Sequence, residues 1–133
     1  MLKAKDIMTR EVITVKQDTP IFESLELFLK NDITGIPVVE DDMTLVGILT
    51  EKDVLRLFYA QEDEGEKTVN YFMTPSVINF DENESLQDVC DCLMTNPFRR
   101  IPVTSKGKVV GVISRPDIIR HILRSRGGSG IAS

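Results

Sequence analysis

The sequence has no tryptophan, a single histidine and two cysteines, and aromatic residues make up 6% of its 133 positions. Each scarcity excludes a class. Cys90 and Cys92 with one histidine supply neither a disulfide framework nor a zinc cluster, so no metal is expected. With no aromatics interleaved among basic residues, the stacking platform of a single-strand nucleic-acid binder is missing, and a nucleic-acid partner is not expected. No apolar run approaches the ~20 residues of a membrane span. The opening Met1-Leu2-Lys3-Ala4-Lys5-Asp6 has no apolar stretch or cleavage site, so a cytoplasmic protein without a membrane partner is expected.

What is present is charge, unevenly placed. Sixteen Lys and Arg against 21 Asp and Glu give a net charge of −5. Residues 1–66 hold seven basic and fifteen acidic side chains, whereas from Pro97 onward eight bases face one acid, Asp117. A chain of this length buries roughly two thirds of its unfolded surface, enough for a core without covalent staples.

The sequence also says everything twice. Met8-Thr9 returns as Met73-Thr74, an offset of 65 at which Val12-Ile13 meets Val77-Ile78 and Ile36-Pro37-Val38 meets Ile101-Pro102-Val103. After a one-residue deletion the offset is 64, and Val46-Gly47 meets Val110-Gly111, Asp53 meets Asp117 and Arg56 meets Arg120. Each copy reads as strand, helix, two strands and helix. The run Val12-Ile13-Thr14-Val15 predicts the first strand, and Thr19-Pro20 a capping hydroxyl ahead of a proline at the first helical position. The spacing of Ile21, Leu25, Phe28 and Leu29 predicts an apolar helix stripe, repeated by Leu86, Cys90, Leu93 and Met94. Cys90 therefore reads as a core residue. Two apolar runs about Asp41-Asp42, and again about Ser105-Lys106-Gly107-Lys108, predict hairpins. The closing helices carry Val54, Leu55 and Phe58, and Ile118, Ile119, Ile122 and Leu123, each set on one apolar side. Neither copy has enough elements to close a core alone, so the two are expected to pack together.

Paired in this order, Asp6-Ile7-Met8-Thr9, Gly35-Ile36-Pro37-Val38-Val39, Leu45-Val46-Gly47-Ile48-Leu49 and Thr50-Glu51-Lys52-Asp53 resemble the pattern of the CBS-domain family. Arg99-Arg100-Ile101-Pro102-Val103, Val109-Val110-Gly111-Val112-Ile113 and Ser114-Arg115-Pro116-Asp117 repeat it, so that the resemblance to a CBS pair, or Bateman module, spans residues 3–124. It implies an α+β fold of tandem repeats packed with pseudo-twofold symmetry. The first repeat is expected over residues 1–60, an acidic connector over 61–67, the second repeat over 68–124 and a flexible tail over 125–133. It implies a regulatory module that is not an enzyme, binds AMP, ADP or ATP between the copies and transmits ligand state to a partner protein. Such modules commonly pair through their helices, so a homodimer is expected. Three departures stand out: Arg100 takes the place of Gly35, Pro116 sits inside the second Ser-x-x-Asp motif, and no enzyme, transporter or DNA-binding domain is attached.

Thr50-x-x-Asp53 and Ser114-x-x-Asp117 admit two readings. As shortened capping boxes they close the ends of helices. As ligand groups, the helix starts suit a phosphate, and each carboxylate offers two oxygens to the adjacent hydroxyls of a ribose. Arg99 and Arg100 place guanidinium groups where the family presents bases to phosphate, and Arg115 lies inside the same motif. By resemblance, each site joins the motif of one copy to the opening of the other. Asp117, Ser114, Arg99 and Arg100 are expected with Met8, Ile13 and Thr34 about the base, and Asp53 and Thr50 with Met73 and Ile78. The second copy, with its arginines, is expected to bind nucleotide more strongly. An adenosyl ligand without phosphate, such as S-adenosylmethionine, is the alternative, above all for the first copy. A dimerising scaffold that binds nothing is the other. His121 has no acid or nucleophile near it in sequence, and no catalytic residue is assigned.

Overall fold

The computed structural model describes residues 1–60, 64–75 and 77–127. In chain order the elements are α1 (Ala4–Ile7), β1 (Val15–Lys16), α2 (Ile21–Asn31), β2 (Gly35–Val39), β3 (Leu45–Thr50) and α3 (Glu51–Leu55). Then follow α4 (Val69–Phe72), β4 (Phe80–Asp81), α5 (Leu86–Thr95), β5 (Arg100–Ser105), β6 (Lys108–Ser114) and α6 (Arg115–Ile122). Short 3₁₀ turns occupy Arg56–Tyr59 and Glu64–Glu66, and a π-helical turn extends α6 over Leu123–Gly127. These elements form two compact units, one of Ile13–Val77 and one of Met1–Val12 with Ile78–Ser133. The units are not the sequence copies, because each contains the opening segment of the other copy.

In the unit Ile13–Val77, β2 runs parallel to β1 and antiparallel to β3. Proline sets the length of β1. Ile48, opposite Pro37, uses its own N–H and C=O on Thr74, so Pro37 and Ile48 are a non-hydrogen-bonded pair and the Pro37 nitrogen faces away from β3. That nitrogen carries no hydrogen, and the β1 ladder holds only Val15 and Lys16, opposite Val38 and Val39. Buried Ile21, Phe28, Ile36, Leu49 and Phe72 fill the core between the sheet and α2. Helix α4 closes it: Val69 donates its N–H to the Thr19 carbonyl, Asn70 to Gln17, and Ile21 to Lys67.

The unit of Met1–Val12 with Ile78–Ser133 repeats this design with β4, β5 and β6, and Pro102 stops the β4 ladder at Phe80 and Asp81 in the same manner. Here α1 supplies the closing helix, with Ala4 donating to the Glu84 carbonyl and Lys5 to Glu82. Its core holds Ala4, Met8, Val89, Leu93, Ile101 and Ile113. The Lys106-Gly107 turn takes φ of 53° and 80°, the left-handed pair that a two-residue hairpin needs.

In each unit the foreign opening lies across the hairpin strand. Thr9 and Val112 exchange both backbone hydrogen bonds, at 2.8 and 2.9 Å, as do Thr74 and Ile48. The methionine before each threonine lies against a glycine of that strand. A Cβ on Gly111 would come within 2.5 Å of the Met8 sulfur, and one on Gly47 within 2.9 Å of the Met73 sulfur.

Several expectations are corrected. The first strand covers Val15–Lys16 rather than 12–15, for the proline reason above. The Thr19 hydroxyl does not cap α2; it accepts from the Lys16 N–H and closes the preceding turn, while Pro20 stands at the helix boundary. The buried helix stripe is rotated. With about 100° per residue, Leu29 and Met94 fall about 80° from Ile21 and Leu86, and they are 88% and 75% exposed, whereas Ser24 and Val89 on the other flank are fully buried. The same rotation leaves Cys90 half-buried instead of in the core. Of the apolar residues expected to be covered on the closing helices only Val54 is buried; Leu55, Phe58, Ile119, Ile122 and Leu123 are exposed and Ile118 half-buried. Of the expected connector, Glu64–Glu66 form a turn and Lys67 lies over the Tyr71 ring, whereas 61–63 lie outside the described residues. Of the expected tail, 125–127 belong to the π-helical turn and 128–133 lie outside the described residues.

The close approach at Gly111 sets a stability test. Gly111→Ala should lower the unfolding free energy by about 1–3 kcal/mol. Leu29→Gln should leave it within about 0.5 kcal/mol of the parent. Urea denaturation measures both, and a neutral Gly111→Ala would contradict the packing described.

Candidate functional site

Two carboxylates sit at equivalent strand-to-helix junctions, one in each unit. Thr50 ends β3 with an extended backbone and begins α3; its hydroxyl accepts from the Asp53 N–H at 3.2 Å, and its own N–H donates to Asp53 Oδ2 at 2.8 Å. Ser114 does the same between β6 and α6, accepting from the Asp117 N–H at 3.4 Å and donating its N–H to Asp117 Oδ2 at 2.8 Å. The capping-box reading is therefore realised in both copies. It holds each carboxylate at its junction rather than consuming it, since the cap occupies Oδ2 and leaves Oδ1 to other donors.

The Oδ1 oxygens differ in their partners. Asp53 Oδ1 accepts a long 3.5 Å bond from the Thr74 hydroxyl. Asp117 Oδ1 accepts from the Thr9 hydroxyl at 3.2 Å and from the Arg120 guanidinium, and the Ser114 hydroxyl adds a second bond to Oδ2 at 2.9 Å. Asp117 is 6% exposed, whereas Asp53 is half-buried. Arg56, the counterpart of Arg120, leaves its carboxylate alone. It donates to the carbonyls of Asp53 and Phe72, and its guanidinium carbon lies 5.1 Å from the centre of the Phe72 ring.

The helix starts differ as well. The first N–H of each is taken by the residue before the neighbouring strand, Glu51 donating to the Thr34 carbonyl and Arg115 to Arg99. The third is the capping bond. The second position of α6 is Pro116, which has no N–H, so the first three positions of α6 keep no main-chain donor for an anion.

Among the other sequence-derived candidates, Met8 and Met73 pack against Gly111 and Gly47 and precede the threonines whose hydroxyls reach the carboxylates. Arg100 opens β5 opposite Ser114, and Arg99 is exposed beside it. Gly35 could not carry a side chain so easily, since its Cβ would meet Ile48 Cδ1 at 3.3 Å; the copy-two counterpart of Ile48 is Val112, which lacks that carbon. The Arg115 guanidinium is committed elsewhere, donating to the carbonyls of Leu93 and Asn96 at the end of α5. Ile13 and Thr34 belong to the unit of Asp53, and Ile78 to the unit of Asp117, where it is 51% exposed. Sequence reasoning missed Thr9, Thr74 and Arg120 as carboxylate neighbours. Their signal was present, because the Met-Thr pair and the arginine three residues after each aspartate both repeat.

The family model for the CBS domain matches the chain twice, over residues 4–60 and 68–124. The chain belongs to the CBS-domain family. This CBS pair is 38% identical over 116 residues to an uncharacterised protein of Methanocaldococcus jannaschii, covering 87% of this chain and 41% of that one. It thus spans well under two thirds of that relative's length. Among solved structures it is similar to CBSX2 from Arabidopsis thaliana in complex with AMP, with 31% identity, a TM-score of 0.81 and coverage of 93% of this chain and 98% of that one. It is also similar to the CBS domain pair of protein MJ0100 in complex with 5′-methylthioadenosine and S-adenosyl-L-methionine, at 28% identity, TM-score 0.75 and coverage of 97% and 98%. The tandem α+β architecture expected from the sequence is that of these CBS pairs. No helix among the described residues is long and apolar enough to cross a membrane.

Without ligand, the two carboxylates of the CBS pair should differ in structural weight. Asp117→Ala strips partners from a backbone N–H, two hydroxyls and Arg120, and should cost about 2–3 kcal/mol. Asp53→Ala should cost about 1 kcal/mol, the value of a helix cap. Equal losses in urea unfolding would contradict this geometry.

Proposed function

We propose that the CBS pair is a regulatory module, not a catalyst, that binds an adenine nucleotide (AMP, ADP or ATP) and passes its ligand state to a partner protein. The observation that carries this reading is the pair of aspartates, each pinned at a strand-to-helix junction by a cap on one oxygen that leaves the other to further donors, in a chain similar to an AMP complex. A carboxylate so held accepts hydrogen bonds from neighbouring ribose hydroxyls. Met8 and Met73 offer apolar walls to an adenine ring, and Arg99 and Arg100 offer charge to phosphate. A ligand that prefers one arrangement of the chain shifts its population, which is what a partner would read.

One observation favours a second ligand class at the Asp117 junction. Its helix start keeps no free main-chain donor among the first three positions, which suits an adenosyl ligand without phosphate. The MJ0100 pair, crystallised with methylthioadenosine and S-adenosylmethionine, supports that alternative. The completed capping boxes are what a scaffold without ligand would also have, and calorimetry separates the three. Heat with AMP or ATP supports the nucleotide reading, heat with S-adenosylmethionine alone supports the alternative, and no heat from folded protein leaves the scaffold.

We propose further that a second copy covers the exposed apolar face of α6, where Ile119, Ile122 and Leu123 stand 63%, 50% and 47% open. Light scattering on the eluting protein should give a dimer mass. Ile119→Asp should shift it toward the monomer, and an unchanged mass would contradict this face as the interface.

A further inference from the structure

The two aspartates are not equally ready for a ligand, and the order is the reverse of what the arginines of the second copy suggest. An ionised carboxylate has about four acceptor positions. At Asp117 four donors use them: the N–H and hydroxyl of Ser114 on Oδ2, and the Thr9 hydroxyl with Arg120 on Oδ1. At Asp53 the Thr50 N–H and the distant Thr74 hydroxyl leave about two positions open. A ribose diol brings two donors of its own. It can dock on Asp53 as it stands, but at Asp117 it must first displace an existing donor.

We propose that Arg120 is a latch on Asp117, and that the chain therefore takes its first ligand at Asp53. This rests on the reading of both aspartates as ribose acceptors. What sets the latch is a residue outside either carboxylate. Both copies carry an arginine three residues after the aspartate, so the arginine alone does not explain the difference. In the first copy Arg56 is held away by the face of Phe72 and by its carbonyl. The position matching Phe72 in the unit of Asp117 is Ile7, which has no π face. Arg120, with no aromatic ring to lie on, turns to the carboxylate beside it. Its side chain is 55% exposed, so the arginine can leave for water when a ligand arrives.

The full chain titrated with AMP tests this by calorimetry. Two unequal sites are expected, with Asp53→Asn removing the tighter and Asp117→Asn the weaker. A latch closed about nine tenths of the time weakens apparent affinity about tenfold. Arg120→Met should therefore tighten the weaker site roughly tenfold, and Arg120→Lys, a charge without the fork, should tighten it less. Ile7→Phe should act like Arg120→Met while keeping the arginine, a result that general loss of charge would not produce. Loss of the tighter site on Asp117→Asn, or a weaker site indifferent to Arg120→Met, overturns the latch while the nucleotide reading stands. No heat with AMP, ADP or ATP in any folded variant overturns the nucleotide reading and the latch together.

Discussion

Met8 and Met73 each reach a hairpin strand at a residue without a side chain, and the fold depends on that approach. With glycine at 111 and 47, the methionine settles close enough for the following threonine to pair with the strand on both sides. The approach delivers the opening segment of one copy to the compact unit of the other. It thereby brings the Thr9 and Thr74 hydroxyls to Asp117 and Asp53. Packing and site chemistry are joined at one contact: the glycine that admits the methionine lies three residues before the cap of the helix bearing the aspartate.

That junction explains which parts of the structure were legible in sequence. The β-branched runs around Ile36-Pro37 and Ile101-Pro102, their turns, and the Thr-x-x-Asp and Ser-x-x-Asp boxes are local, and local chemistry decides them. The aspartates were therefore found. Their neighbours were not, because Thr9 lies 108 residues from Asp117 and is placed by long-range pairing. The helix faces were misjudged for a related reason. An apolar count weighs Leu29 equally with Phe28, but the sheet meets only one arc of α2, and Ser24 lies inside that arc with its hydroxyl bonded to the Ile21 carbonyl.

Duplication leaves the two junctions alike in backbone and unlike in chemistry. The differences are small in sequence: Pro116 for Lys52, Arg100 for Gly35, Ile7 for Phe72. Each acts through what it removes or redirects. Proline deletes a donor from a helix start, Val112 lacks the carbon with which Ile48 crowds Gly35, and the loss of an aromatic face frees a guanidinium to swing. A tandem repeat can thus diverge in binding while its scaffold stays nearly symmetric within each unit.

The exchange of opening segments also orders the events of synthesis. Residues 1–12 leave the ribosome before the unit Ile13–Val77, yet their partners in β6 and α5 are made only after it. The unit Ile13–Val77 has all its parts once α4 has emerged, so it is the first that can close. Until Gly111 and Val112 appear, Ala4, Ile7 and Met8 have nowhere to bury their side chains. During that interval the nascent chain carries a closed unit and, ahead of it, a waiting apolar segment whose exposed side chains favour association.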